Sequence, residues 1–310
     1  QQDMEHGEGL ALLDPHGDLV EKVLSAVPES RKADLIYFNV ADSAKPLGFN
    51  PLERVPIEKR PLAASGLLDA FKKIWADSWG PRLEHILRNA ILALLDQPES
   101  TLADVLRLLN DPSFRRAAVP RIQNESVRDF WTKEFEYYPW RLRAEAIAPI
   151  QNKVGAFLAN PVLSRILAQS KSSFDLRQVM DEGKILLVNL AKGKVGEDTS
   201  SLLGALLVAK IGLVRLSRAD TPEEKRRDFY LFMDEAHHFA TLSFANMLSE
   251  TRKYRLSLTG VTQYQAQIDS NVREAILGNV GTIICFRLGL TVAEILAKEF
   301  YPVFSEKDLI

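Results

Sequence analysis

Cysteine is all but missing from this chain of 310 residues, and the one present, Cys285, cannot close an internal disulfide. A disulfide-stapled secreted scaffold is thereby excluded, and a reducing cytoplasm is the expected setting. An excess of either charge is missing too: 39 Lys and Arg stand against 41 Asp and Glu, a formal net charge of -2. No global field therefore marks the chain for nucleic acid, and any such contact must come from a local patch or from a pore lined in an assembly. The longest apolar stretch, residues 202–216, is interrupted by Lys210 and Arg215 and falls short of the ~20 residues of a membrane span. No internal repeat or low-complexity tract occurs. What is present is a hydrophobic content of 46%, enough for a full α/β core with room for one appended domain.

The order of patterns gives that core its class. An apolar run at 9–13, the turn DPHGD, a helix over 19–27 and a second apolar run at 34–40 make a βαβ beginning. From about 61 to 170 the period changes to helical, at 62–75, 82–95, 102–109, 127–137 and 144–158. Gly80-Pro81, Pro98, Pro112, Pro120, Pro139 and Pro161 punctuate these pieces. Strand character returns at 184–190, followed by the loop AKGKVGEDTS and a helix over 200–217 that is apolar on nearly every side and so belongs in the core. Strands at 229–233, 256–261 and 281–287 then alternate with helices at 239–253 and 292–300. The expected fold is α/β, a doubly wound parallel sheet formed by 1–60 and 171–310, with an all-α domain inserted at 61–170. Cys285 is expected as a buried small hydrophobe in the last strand.

The most informative stretch is FYLFMDEAHHF at 229–239, where an apolar run stops at two adjacent carboxylates. It reads as a Walker B element, with Asp234 and Glu235 emerging at the carboxyl end of a buried parallel strand, the edge where open α/β sheets bind ligands. In that reading Asp234 holds Mg²⁺ and Glu235 orients the attacking water. The plain alternative makes both acids ordinary N-terminal charges of the next helix. Asp234 to His237 also spell DEAH, but too little chain follows for the second lobe of a two-lobed helicase, and no QxxGRxGR-type segment occurs in it. Gln263, just past the next strand, is placed to sense a γ-phosphate. Arg252 suits an arginine finger acting across a subunit boundary, which predicts a ring. Their plain alternatives are a polar loop residue and a solvated, basic helix end. Asp14 and His16 sit at a strand's carboxyl edge and either flank the site or serve a simple βα turn.

Taken together, LLDPHGDLVEKVL (12–24), GFNPLE (48–53), ILLVNLAKGKVGEDTSSLLGALLVAKI (185–211), the stretch at 229–239, TRKYRLSLTGVTQY (251–264) and GNVGTIICFRLG (278–289) resemble the HerA/FtsK superfamily of pumping ATPases. The nearest branch is the TraG/TraD-type coupling proteins of conjugation and type IV secretion. The resemblance covers about 9–60 and 174–310, and it extends to the helical insertion only by position and character. It implies a RecA-like P-loop NTPase that uses ATP and Mg²⁺, forms a ring, expected to be hexameric, and moves DNA without regard to sequence. Relaxosome or secretion-channel proteins are the implied partners. The implied location is the cytoplasm, at the inner face of the membrane where segments outside this sequence anchor it. Residue by residue it assigns Mg²⁺ to Asp234, water activation to Glu235, the trans-acting finger to Arg252 and γ-phosphate sensing to Gln263. Arg287 is a second candidate at its strand's end.

One departure matters. The GxxxxGK[ST] loop of the family does not occur, and GKVGEDTS at 193–200 lacks its spacing. The expectation is that this loop lies upstream, that QQDMEHGEG is the tail of its helix, and that the chain by itself binds ATP poorly.

Between Arg141 and Arg177, six basic residues (Arg141, Arg143, Lys153, Arg165, Lys171, Arg177) face only Glu145 and Asp175. This stretch is a candidate for salt-sensitive phosphate contact, with Trp131, Tyr137, Tyr138 and Trp140 nearby to stack bases; at helical spacing such aromatics are also core positions. Two other functions compete with DNA transport: HerA-like helicase work in DNA-end processing or defence, and a nucleotide-free interaction module.

Overall fold

The computed structural model describes residues 1–249, 251–263 and 268–310. Five strands, β1 (Gly9–Asp14), β2 (Leu35–Asn39), β3 (Ile185–Asn189), β4 (Phe229–Met233) and β5 (Leu256–Gly260), form one parallel sheet in the order β2-β3-β1-β4-β5. The central strands are buried along their whole length because helices cover both faces, as near-continuous apolar runs require. Alternation sorts the side chains. Leu10, Leu12, Ile185 and Leu187 pack on Met4 of α1 (Gln2–Glu5), Val20 of α2 (Asp18–Ser25) and Val27. Ala11, Leu13, Leu186, Val188, Leu231 and Met233 join the main core on the other face. Among the described residues β5 pairs only with β4, and its Ser257, Thr259 and Gly260 are exposed.

Between β2 and β3 run α3 (Arg60–Ile74), α4 (Pro81–Leu95), α5 (Asp104–Asn110), α6 (Pro112–Ala118), α7 (Glu125–Asp129), α8 (Trp140–Ala159) and α9 (Pro161–Leu167). They share one continuous hydrophobic core with the sheet. After α10 (Leu176–Asp181), β3 and α11 (Lys192–Val195) comes the long α12 (Glu197–Ser217), against which α3 packs. The stretch Glu197–Asp220 is long and apolar enough to cross a membrane, yet 72% of its window is buried inside the protein. Gly204 explains how closely α12 is covered: a Cβ there would lie 2.1 Å from the Phe239 ring. Lys210 enters this apolar helix because its ammonium donates to the Pro51 and Glu53 carbonyls, while burial pulls its pKa down to about 8. The chain closes with α13 (Leu242–Leu248), α14 (Ser270–Leu277), α15 (Leu290–Phe300) and α16 (Glu306–Leu309).

Four expectations need correction. No strand forms at 281–287, and Cys285 there is half-buried rather than buried. The helix expected at 127–137 ends at Asp129 and gives way to a π turn at Phe130–Glu134 and a 3-10 turn at Phe135–Tyr137, as Phe130, Trp131 and Phe135 all turn inward. The helix expected at 239–253 shrinks to α13, capped by the Thr241 hydroxyl, and Glu250 lies outside the described residues. The basic stretch at 141–177 is largely spent internally. Arg143 donates to the Phe135 and Glu136 carbonyls, Arg165 to those of Pro161 and Ser43, and Arg177 to Asp181 and Asp220, while Lys171 faces Glu99. Of its aromatics, Trp131 is core, whereas Tyr137 and Trp140 are exposed, with Arg141 over the Trp140 ring.

Candidate functional site

The register of three strands sets the site. Leu13 of β1 pairs with Val188 and with Met233, so Asp14 and Asp234 leave the sheet side by side at its carboxyl edge. The Asp234 amide still donates to the Leu13 carbonyl, 3.0 Å, and its side chain is only half-buried. Burial pushes the Asp234 carboxyl up from its ordinary pKa, and the negative charges of Asp14 and Glu235 push the same way; the Glu235 amide and His16 oppose them.

Asp14 is fully buried and its oxygens are taken: Oδ1 accepts from the His16 amide at 2.8 Å, and Oδ2 from those of Leu19 and Val20 at 2.9 and 3.0 Å. It therefore closes the βα turn and holds the start of α2, leaving only its charge to act on Asp234. His16 is exposed beside it. Replacing Asp14 by Ala is expected to cost ~2 kcal/mol or more in urea unfolding, because three amides lose their acceptor at a helix start; a loss below a few tenths would contradict this role.

Glu235 follows Asp234 in a left-handed backbone conformation, φ 45°, which few non-glycine residues adopt and which functional sites concentrate. It is buried, and its Oε2 has no hydrogen-bond partner among the described residues. His237 Nδ1 lies 3.3 Å from it without hydrogen-bond geometry, and 3.2 Å from Thr262 Oγ1, with which it does bond. Beyond β5 the ladder continues, with the Val261 amide donating to the Met233 carbonyl and the Ala236 amide to the Val261 carbonyl. Thr262 and Gln263 are thus carried to the same edge. Gln263 is exposed there, and no bond joins it to either acid among the described contacts.

The other two arginine assignments separate from this edge. Arg252 lies in the 3-10 turn Arg252–Tyr254 that leads into β5, at the opposite, amino end of the strand. Five residues at about 3.3 Å each put it about 16 Å away, so within one chain it cannot meet the acids. Arg287 is exposed in a non-strand segment and its Nε donates to the Ile310 carbonyl at 3.0 Å, so its strand-end placement fails.

Sequence inspection missed the histidines. His237 and His238 are buried with ring centroids 4.3 Å apart. Burial drives the His238 pKa down to about 4, helped by His237 and Lys192. Because its folded pKa lies below the ordinary value near 6.5, the unfolded chain takes up the proton first as pH falls. Stability therefore declines from about pH 6.5 to about 4 and then levels. Denaturant midpoints over that range should fall less for His238→Gln than for the wild type, and parallel curves would refute the assignment.

As to Mg²⁺, no group of three or more His, Cys, Asp or Glu is arranged to hold a metal among the described residues. Mg²⁺ commonly takes one or two carboxylates and completes its shell with water and phosphate. Asp234, half-buried at the sheet edge beside the unpartnered Glu235 Oε2, fits that mode.

Comparison with known proteins bears on this edge directly. Residues 228–300 match the family described as the TraM recognition site of TraD and TraG. Over that segment the chain is similar to the TraG/TraD-type coupling proteins. A comparison with curated proteins finds no match. Among solved structures, the conjugative coupling protein TrwBdeltaN70 in its unbound form superposes with a TM-score of 0.60 at 14% identity, over 96% of this chain and 67% of that one. The plasmid coupling protein TrwB in complex with the ATP analogue ADPNP gives 0.62 at 13%, over 99% and 74%. VirB4 of Thermoanaerobacter pseudethanolicus gives 0.60 at 13%, over 98% and 76%. The fold is that of these P-loop NTPases, α/β with a parallel sheet.

Proposed function

We propose that the chain is the motor of an ATP-driven DNA translocase of the conjugative coupling type, serving type IV secretion, and that residues 229–235 are its Walker B element. The observation that carries this is the Asp234-Glu235 pair at the sheet's carboxyl edge, where Asp234 stands beside the buried Asp14 and Glu235 Oε2 has no hydrogen-bond partner among the described residues. Asp234 would hold Mg²⁺, which neutralises developing phosphate charge when bound. Glu235 takes the proton of the attacking water, and Gln263 reads the γ-phosphate from the adjoining strand. Arg252, at the far edge, acts only on a neighbouring subunit's nucleotide, which calls for a ring.

The phosphate-binding loop is supplied from upstream in this reading. Two features support it: β5 has an open edge among the described residues, and Tyr230 and Phe232 of β4 are only partly buried on the α1 side of the sheet. The binding of ADPNP by TrwB supports nucleotide use. The match at 228–300 supports contact with a relaxosome protein of the TraM kind, and within it Val261, Ile284, Phe286 and Leu290 are exposed apolar side chains. DNA-stimulated ATP hydrolysis by a form of the protein extended upstream to its phosphate loop tests the reading. Absence of hydrolysis would leave the nucleotide-free interaction module, and hydrolysis by a form whose upstream chain adds a small β-barrel would favour HerA-like work.

A further inference from the structure

We propose that Asp69, supplied by the inserted helical domain, is a positioning residue for Glu235: it fixes, from outside the sheet, the turn on which that acid stands. The proposal deepens the Walker B reading and rests on it. One carboxylate oxygen of Asp69, in α3, accepts from the Ser243 amide at 2.9 Å and also from the Ser243 hydroxyl. Among the described residues these are the only side-chain hydrogen bonds between 61–170 and 229–263. The insertion thus grips the chain that leaves the nucleotide edge at a single point.

That point is where the chain after Glu235 needs an outside partner, because the first amides of a helix have no acceptor within it. In α13 the Phe244 amide is answered locally, by the Thr241 hydroxyl at 3.1 Å, whereas the Ser243 amide is answered by Asp69. Between Glu235 and α13 stands the 3-10 turn Ala236–His238, continued by bonds from the Phe239 and Ala240 amides to the Ala236 carbonyl. Turn and helix are seated in notches on α12. A Cβ on Gly204 would lie 2.1 Å from the Phe239 ring, and one on Gly212 would lie 2.7 Å from the Met247 sulfur. Such apolar seating sets depth but is non-directional. A hydrogen bond has a direction, so Asp69 sets the rotation of the unit. Its support is firm, since α3 lies so close on α12 that a Cβ on Gly66 would stand 3.3 Å from the Ala209 Cβ. One turn further along α3, the charge of Lys73 lowers the pKa values of His237 and His238, so the helix runs along the turn rather than away from it.

Glu235 itself is left-handed, φ 45°, a conformation that persists where the surroundings over-determine it. The Ala236 amide holds one side of the turn to the Val261 carbonyl, and Asp69 holds the other through Ser243. Without Asp69 the turn relaxes and the carboxylate loses its aim.

Two measurements decide it. In this chain, without nucleotide, Asp69→Ala is expected to speed amide hydrogen exchange at Ala236 and His238 ~10-fold, and rates within about twofold of the wild type would overturn the proposal. In the upstream-extended protein, Asp69→Ala is expected to lower kcat ~10–100-fold with KM for ATP within about twofold, the effect of a ~1 Å misplacement of a catalytic group. Asp69→Asn, whose amide oxygen accepts from both Ser243 groups, should recover most of that loss. Asp111→Ala controls for stability alone: Asp111 caps α6 of the same domain through the Ser113 and Phe114 amides at 2.8 and 3.1 Å, and its loss should leave kcat unchanged. An Asn variant as slow as Asp69→Ala, or an Asp111→Ala variant equally slow, with all proteins folded by thermal melting, would also overturn it. Failure of the wild type to hydrolyse ATP counts against the Walker B reading instead, since exchange is read without nucleotide.

Discussion

Glu235→Gln is expected to lower DNA-stimulated ATP turnover by ~10²–10⁴-fold in the upstream-extended protein while nucleotide affinity changes little, the range that loss of a positioned general base produces. The amide keeps the shape of the carboxylate but cannot take a proton from water. Binding should survive because the substituted group faces the water rather than the phosphates or the cation. The outcome should also differ from that of Asp234→Asn, which removes the cation's ligand and so should weaken Mg²⁺-dependent nucleotide binding together with turnover. Relief of the crowding among Asp14, Asp234 and Glu235 should make that Asn variant no less stable than the wild type without nucleotide. Single-turnover hydrolysis and equilibrium binding of a nucleotide analogue separate the two variants. An unchanged rate for Glu235→Gln would remove the motor assignment.

The largest stability effect is expected at Arg218. This side chain has no exposed surface, yet its guanidinium serves three structural segments. It donates to the Tyr254 carbonyl at 2.9 Å and to that of Arg227, and its Nε sits 3.1 Å from an Asp181 oxygen. It thereby joins the end of α12, the approach to β4 and the turn before β5, the turn that carries Arg252. Arg218→Met fills much of the space but leaves two carbonyls without their donor and Asp181, partly exposed, to Arg177 alone, which costs ~2–4 kcal/mol. Lysine would not restore it, since one ammonium cannot replace a planar fork reaching in three directions. Urea denaturation measures the loss, and a Met variant within ~1 kcal/mol of the wild type would contradict this role.

Strand positions were legible because the central runs are apolar on both faces, and all five observed strands fall within a residue or two of their expected bounds. The run at 282–286 has the same composition and forms no strand. A β-rich sequence fits a sheet only where a ladder partner exists, and β5 is the edge among the described residues. At the site, the spacing of Asp234 and Glu235 after an apolar run identified the sheet edge. The use of Asp14 as an acceptor for three amides was a matter of turn geometry. Arg252 could not be placed from its distance along the chain, because the strand that follows reverses its end of the sheet relative to Gln263. His237 was hidden for a related reason. Its meaning depends on Thr262, a neighbour across the ladder and not along the sequence.

The most direct test is a structure of the upstream-extended protein with Mg²⁺ and a non-hydrolysable ATP analogue. The metal should stand ~2.1 Å from an Asp234 oxygen or one water away from it, with the γ-phosphate between Glu235 and Gln263. A metal and triphosphate bound away from the carboxyl ends of β4 and β5 would contradict the account.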